Sequence, residues 1–280
     1  MKIIRFPTLF RKTMERLHSR GRTIGFVPTM GALHEGHLSL IGRARRENQV
    51  VVASLFVNPL QFGPREDFKS YPRNLGRDRR LLSQKKVDYL FIPDAVSFYP
   101  AGFQTFVEVA ELSRGLCGKF RPGHFRGVAT VVTKLFNVVR PDRTYFGAKD
   151  YQQAVLIRRM AKDLNFDIEV KILPTVRDQD GLALSSRNAY LSIPNRAKAL
   201  AIPQALAWLK EEVRTGKRNL GMLRSGVRGR LRRSLDQVDY VEFVEPMTLQ
   251  SVKRIRGPFV AAVAGWVGKT RLIDNAIIHP

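Results

Sequence analysis

Residues 25–41 read Gly25-Phe26-Val27-Pro28-Thr29-Met30-Gly31-Ala32-Leu33-His34-Glu35-Gly36-His37-Leu38-Ser39-Leu40-Ile41, an apolar strand that passes through a glycine-punctuated turn into a helix. Further short apolar runs at 50–57, 89–92, 144–146 and 168–173 alternate with helical patterns. Such alternation predicts a mainly parallel sheet with helices on both faces. In the first unit the glycines let backbone approach an anion with no Cβ in the way. The N–H groups and positive dipole end of the new helix point at that anion. His34 and His37, three residues apart, share one face of the first turn. The segment reads as a holder of nucleotide phosphates.

The spacing His34-Glu35-Gly36-His37 resembles the His-x-Gly-His signature of the nucleotidyl-transferase superfamily, which includes class I aminoacyl-tRNA synthetases and small adenylyl transferases. Zinc is a competing reading. The metalloprotease helix carries His-Glu-x-x-His, one residue longer, and Gly36 is a weak helix former. The plainer alternative is two solvated histidines in an ordinary strand-to-helix turn.

In open parallel sheets, ligands sit beyond the carboxyl ends of the strands. His34 and His37 follow the first apolar run, Asn58-Pro59-Leu60-Gln61-Phe62 the second, and Gly147-Ala148-Lys149-Asp150 the fourth. After Pro174 the pattern changes to a polar linker over 176–192, helical stretches at 196–215 and 220–235, and strand-like runs at 238–244, 258–267 and 270–274. The expected fold class is therefore α/β, a Rossmann-like doubly wound parallel sheet over 1–175 with a smaller C-terminal α+β domain over 176–280.

A chain of 280 residues can bury a full core and divide in two. Hydrophobic content of 44% with 26% charged residues excludes a disordered chain. No apolar run approaches the ~18 residues needed to span a bilayer. The opening Met1-Lys2-Ile3-Ile4-Arg5-Phe6-Pro7 is too short and too charged for a signal peptide, so the cytoplasm is expected, with no membrane partner. Cys117 stands alone in the sequence, cannot close an internal disulfide, and reads as a structural or incidental thiol.

The net charge of +24 suits a binder of polyanions. The excess is nevertheless spread along the whole chain. Its densest stretch, from Lys217 to Arg233, interleaves with Leu220, Leu223, Val227 and Leu231 at helical spacing, as a solvated face over a packed one does. Non-specific polyanion binding at low salt is expected, and a specific nucleic-acid partner is not.

Six motifs in order carry a resemblance over essentially the whole chain. They are Pro28 to His37 as written above, Phe56-Val57-Asn58-Pro59-Leu60-Gln61-Phe62 and Tyr71-Pro72-Arg73, then Arg121-Pro122-Gly123-His124-Phe125-Arg126-Gly127-Val128, Phe146-Gly147-Ala148-Lys149-Asp150-Tyr151-Gln152-Gln153 and Leu184-Ser185-Ser186-Arg187-Asn188. The chain resembles the pantothenate synthetase family, the pantoate–β-alanine ligases. The resemblance implies that a pantoate carboxylate attacks the α-phosphate of ATP with loss of pyrophosphate. The amine of β-alanine then attacks the pantoyl adenylate to give pantothenate and AMP. A homodimer and Mg²⁺ travelling with ATP are implied as well, and the C-terminal domain is expected to cap the active site.

Carried onto this sequence, the resemblance assigns ATP to Pro28, Thr29, Met30, Gly31, His34, Gly36, His37, Gly147, Lys149, Asp150, Val176, Leu184, Ser185, Ser186 and Arg187. Catalysis falls to His34, His37, Lys149, Ser185, Ser186 and Arg187. Fixed cations and hydrogen-bond donors suit charge that develops on transferred phosphate, and two hydroxyls with a guanidinium suit the β- and γ-phosphates. Pantoate is assigned to Asn58, Gln61, Phe62, Val131 and Gln153, and β-alanine to Gln61. Phe56, Phe62 and Val131 either wall the gem-dimethyl group or belong to the core. Arg121, His124 and Arg126 either add positive charge near an anionic site or stabilise a loop.

Three positions depart from the family pattern. Acidic residues are common shortly after Tyr-Pro-Arg, whereas this chain reads Asn74-Leu75-Gly76-Arg77-Asp78, so Asp78 is the one metal candidate and Arg77 stands where a carboxylate is usual. Ala148 replaces a usual Glu, and Leu184 a usual Met. Two other classes share some of these signatures. A nucleotidyl transferase or tRNA-loading relative would share the histidines and Ser185-Ser186-Arg187 but lack the paired Gln61 and Gln153. A non-catalytic RNA-binding protein would explain the charge but not the phosphate-site residues.

Overall fold

A computed structural model of the chain describes residues 1–64 and 66–280. They form two compact units. The first comprises Met1–Ser113, Arg121–Ala148 and Gln153–Pro174, the second Arg114–Phe120, Lys149–Gln152 and Thr175–Pro280. The chain therefore crosses between units more often than a single boundary after residue 175 implies. The two short segments carry Cys117, Lys149 and Asp150 into the second unit.

Six strands build the sheet of the first unit: β1 (Lys2–Ile4), β2 (Ile24–Thr29), β3 (Val50–Leu55), β4 (Tyr89–Phe91), β5 (Arg143–Gly147) and β6 (Glu169–Leu173). Their order is β1-β4-β3-β2-β5-β6, and every pairing is parallel. From β2 the chain first winds toward β3 and β4, then returns to β5 and β6 on the other side. That reversal opens a crevice beyond Thr29 and Gly147, the topological switch point where open α/β sheets bind ligands.

Helices cover both faces, and strand side chains alternate between them. On one face, α2 (Glu35–Glu47) and α3 (Leu75–Gln84) contribute Leu38, Ile41, Ala44 and Leu82 to a core with Val27, Val51, Ala53 and Tyr145. On the other, Phe10 of α1 (Pro7–His18) lies against Phe91 with ring centroids 4.6 Å apart, and α1 packs along α6 (His124–Val139). The short α4 (Ala95–Phe98) adds Phe98 to that side. The short α5 (Cys117–Phe120) belongs to the second unit, whereas α7 (Tyr151–Asp163) has its first two residues in the second and the rest in the first.

The second unit has an antiparallel sheet β7 (Gln237–Val244), β8 (Phe259–Val267) and β9 (Thr270–Ile278) in that order, with α8 (Ile193–Ala199), α9 (Ala201–Arg214) and α10 (Leu220–Arg232). Leu206, Leu209, Leu223, Val227 and Leu231 pack with Val241, Phe243, Phe259 and Val263. The single helical stretch expected at 196–215 is two helices that meet at Leu200, with Pro203 tolerated in the first turn of α9. The expected polar linker over 176–192 is a pinned loop. Arg177 forms an isolated antiparallel bridge with Ala183 and a bidentate pair with buried Asp274 at 2.6 and 3.0 Å, while Arg196 binds Asp178 and Asp180.

Cys117 is buried, its Sγ 3.2 Å from the Tyr240 hydroxyl and 3.6 Å from Nη1 of Arg271, which pairs with Asp239. Burial pushes the Tyr240 phenol well above its ordinary value. Among the described residues no helix is long and apolar enough to cross a membrane.

Candidate active site

The turn after β2 is built against conformational preference and then clamped. The Thr29 hydroxyl donates to the Ser54 carbonyl at 2.8 Å and accepts the Gly31 N–H at 3.2 Å. Gly31 has φ +85° and Ala32 φ +50°, consecutive left-handed residues that an alanine seldom joins. Asp78, buried in the first turn of α3, holds them: Oδ2 accepts the Ala32 N–H and Oδ1 the Leu33 N–H, each at 2.9 Å. Arg77 beside it donates to the Leu33 carbonyl at 2.9 Å. A Cβ on residue 31 would sit 3.1 Å from Asp78 Oδ2, so the glycine makes room for the clamp.

His34 is the N-cap of α2. Its Nδ1 accepts the Gly36 N–H at 3.2 Å, and His37 Nδ1 faces the His34 N–H at 3.4 Å, a capping box made of two imidazoles whose centroids are 4.1 Å apart. A nitrogen that accepts carries no proton, so each ring, when neutral, holds its hydrogen on Nε2. The cap thus sets the tautomer of each neutral ring.

Gln61 sits in a second platform after β3. Asn58 caps the 3₁₀ turn Pro59–Gln61, and Gln61 Nε2 lies 3.1 Å from the Met30 sulfur. The Gln61 carbonyl accepts from His124 Nδ1 at 2.8 Å and from Arg121 at 3.3 Å. His124 Nε2 in turn accepts a hydrogen bond from Arg121 at 3.0 Å, and Arg121 is paired with Glu66. Of the two readings of Arg121 and His124, the structure gives loop support. Arg126 stacks over Phe106 at 4.0 Å. Phe56 is core, buried against Phe98, whereas Phe62 is half-buried beside Phe68 and Tyr71. Val131 is buried on α6 and Gln153 half-buried on α7.

Pro28 lies in β2 opposite Ser54, Gly36 is in the first turn of α2, and Gly147 ends β5. In the second unit Lys149 is held 3.7 Å from Asp150, and its carbonyl accepts from Asn275 at 2.9 Å. Ser185 caps the 3₁₀ segment Ser186–Tyr190 by accepting the Arg187 N–H at 3.3 Å. The Leu184 N–H donates to the Val176 carbonyl at 3.0 Å. Residues no short-range pattern revealed are Tyr99, whose hydroxyl reaches Asn58 Oδ1 at 2.9 Å, and Glu66.

The residues do not fit a protein-held Mg²⁺. Asp78 already accepts two backbone N–H groups, one on each oxygen, and among the described residues no group of three or more His, Cys, Asp or Glu gathers. Asp78, expected as a candidate metal ligand, is instead the clamp of the turn after β2.

The family model for pantoate-beta-alanine ligase matches residues 2–277. The chain belongs to the pantoate-beta-alanine ligase family. It is 52% identical to pantothenate synthetase of Thermotoga neapolitana over 279 residues, covering 99% of this chain and 100% of that one. It is 54% identical to that of Pseudothermotoga lettingae, covering 92% of each. Pantothenate synthetase of Thermus thermophilus superposes with TM-score 0.95 at 47% identity over the whole of both chains. The pantoate-beta-alanine ligase of Francisella tularensis, solved in complex with beta-gamma ATP and beta-alanine, gives TM-score 0.82 at 36% identity over 99% and 97% of the two chains. As a pantoate-beta-alanine ligase, this chain is an ATP-dependent enzyme that forms pantothenate.

Proposed function

We propose that the phosphate turn and the Gln61 platform divide the work of this ligase. ATP takes the backbone of Met30 to Leu33 and the Nε2–H donors of His34 and His37, with the N-terminus of α2 behind them. Pantoate takes Gln61, Gln153, Phe62 and Val131, while Asn58, expected as a pantoate contact, is buried and fully hydrogen-bonded and holds Gln61 instead. The pantoate carboxylate attacks the α-phosphate as pyrophosphate leaves. Lys149 supplies a further cation to the α-phosphate, Asp150 a contact to the ribose or amino end of ATP, and Ser185, Ser186 and Arg187 contacts to the β- and γ-phosphates. Pro28, Thr29, Gly31, Gly36, Gly147, Val176 and Leu184 line ATP through backbone. β-Alanine then reaches the adenylate beside Gln61, and its amine displaces AMP.

The observation that carries this reading is the histidine capping box, in which both Nδ1 atoms face backbone N–H groups at the start of α2. The histidines act by stabilising charge, since pyrophosphate leaves without needing full protonation. Mg²⁺ belongs to the ATP phosphates and not to a carboxylate of this chain. The homodimer rests on the family resemblance. The test is product analysis: pantoate with ATP releases pyrophosphate, and AMP accumulates over many turnovers only when β-alanine is added. Multiple-turnover AMP without β-alanine contradicts the two-step reading.

A further inference from the structure

Asn58 is 1% exposed, and all of its hydrogen-bonding positions are filled. Its Oδ1 accepts the Leu60 N–H at 3.3 Å and the Tyr99 hydroxyl at 2.9 Å. Its Nδ2 donates to the Gly127 carbonyl and to Gln61 Oε1, each at 3.1 Å. A side-chain amide has two acceptor and two donor positions, so nothing is left over. Two of the partners cannot exchange roles, because the Leu60 N–H only donates and the Gly127 carbonyl only accepts. Flipping Asn58 would leave buried polar groups facing their own kind.

Gln61 must therefore answer with Oε1. Its Nε2 donates instead to the Met30 thioether at 3.1 Å, a weak acceptor that a substrate oxygen outcompetes. The close approach needed for this arrangement is built in, since any Cβ on residue 127 would collide with the Leu60 carbonyl. Tyr99 stands behind Asn58 with its ring 5.1 Å from Phe103 and 5.5 Å from Phe98, and burial pushes its phenol well above the ordinary value, so it keeps the proton it donates.

We propose that Tyr99 is a positioning residue for pantoate, fixing the Gln61 amide through Asn58 so that this point of the site offers N–H donors and selects an oxygen acceptor. The inference rests on the assignment of pantoate to Gln61. It gives the ligase a polarity filter: a substrate with a hydroxyl or carboxylate oxygen there is accepted, and one with an N–H donor is refused.

The test is a double-mutant cycle on the full chain, with kcat/KM for pantoate as the readout and the KM for ATP and the melting temperature recorded beside it. Tyr99→Phe is expected to lower kcat/KM for pantoate about 3- to 10-fold, the worth of one hydrogen bond, with the KM for ATP unmoved. In the Gln61→Ala background the same change is expected to cause no further loss. Equal losses in both backgrounds, or none from Tyr99→Phe, overturn the relay and leave pantoate at Gln61. An unchanged kcat/KM in Gln61→Ala removes pantoate from Gln61 and the relay with it. Gln61→Glu reports on the polarity without touching Tyr99: it has no N–H, so retained pantoate use contradicts the filter.

Discussion

Asp78 accepts the backbone N–H of Leu33 at 2.9 Å, across 45 residues of sequence, and so ties the start of α3 to the turn ahead of α2. With the Ala32 N–H on its second oxygen, it compensates a turn that is otherwise costly to hold. Asp78→Ala is expected to lower stability by about 2–3 kcal/mol, since hydrogen bonds to a charged acceptor are lost and two N–H groups are stranded. It also raises the KM for ATP and leaves the Mg²⁺ concentration for half-maximal activity unchanged. Denaturant melts and a Mg²⁺ titration check this, and a large shift in that Mg²⁺ requirement would restore Asp78 as a ligand.

His37→Ala and Lys149→Ala are each expected to reduce pantoate-dependent pyrophosphate release by at least about 100-fold, the scale of removing one preorganised donor. Neither should disturb the fold. His34→Ala should add a stability loss of about 1 kcal/mol because it also removes the N-cap of α2. Near-native turnover by either of the first two variants removes that residue from the chemistry.

Glu66 makes the Gln61 loop sensitive to acid. Burial raises its carboxyl, but the hydrogen-bonded Arg121 guanidinium outweighs burial and holds it below its ordinary value of 4.5. A depressed folded pKa contributes stability above 4.5 that is lost as pH falls through the folded value. Arg121 also supports the Gln61 carbonyl. Thermal melts taken down through the carboxylate range should therefore fall more steeply for the native chain than for Glu66→Gln, and parallel curves would contradict this.

What is legible in the sequence is what short spacing encodes. Gly31, His34 and His37 announce a strand, a turn and a cap within ten residues, and the structure keeps them together. Contacts between distant segments leave no such trace. Nothing local ties Asp78 to Leu33, Tyr99 to Asn58 or Cys117 to Tyr240. The apolar pattern ends the last strand at Asp274, because Asp-Asn resembles a turn. Asp274 is instead buried on Arg177, and β9 continues to Ile278. The edge strand β1 gives no usable signal, because only three residues pair with β4.

The Asp239–Arg271 pair, with Asp239 almost fully buried, also accepts the Trp266 indole at 3.0 Å. Asp239→Ala is expected to destabilise the second unit by about 3–5 kcal/mol, because it strands a largely buried guanidinium. Thiol labelling of Cys117 should be slow in the native chain and become fast in this variant. Fast labelling of the native chain would show that the cluster is open.

In the first half-reaction a pantoate carboxylate oxygen bonds to the α-phosphate of ATP, and its fate can be followed directly. Pantoate labelled with ¹⁸O in both carboxylate oxygens is turned over with ATP, Mg²⁺ and β-alanine, and the products are weighed by mass spectrometry. One ¹⁸O is expected in AMP and one in the amide carbonyl of pantothenate, because β-alanine attacks carbon and AMP leaves with the bridging oxygen. AMP without label, or label in inorganic phosphate alongside ADP, would contradict it.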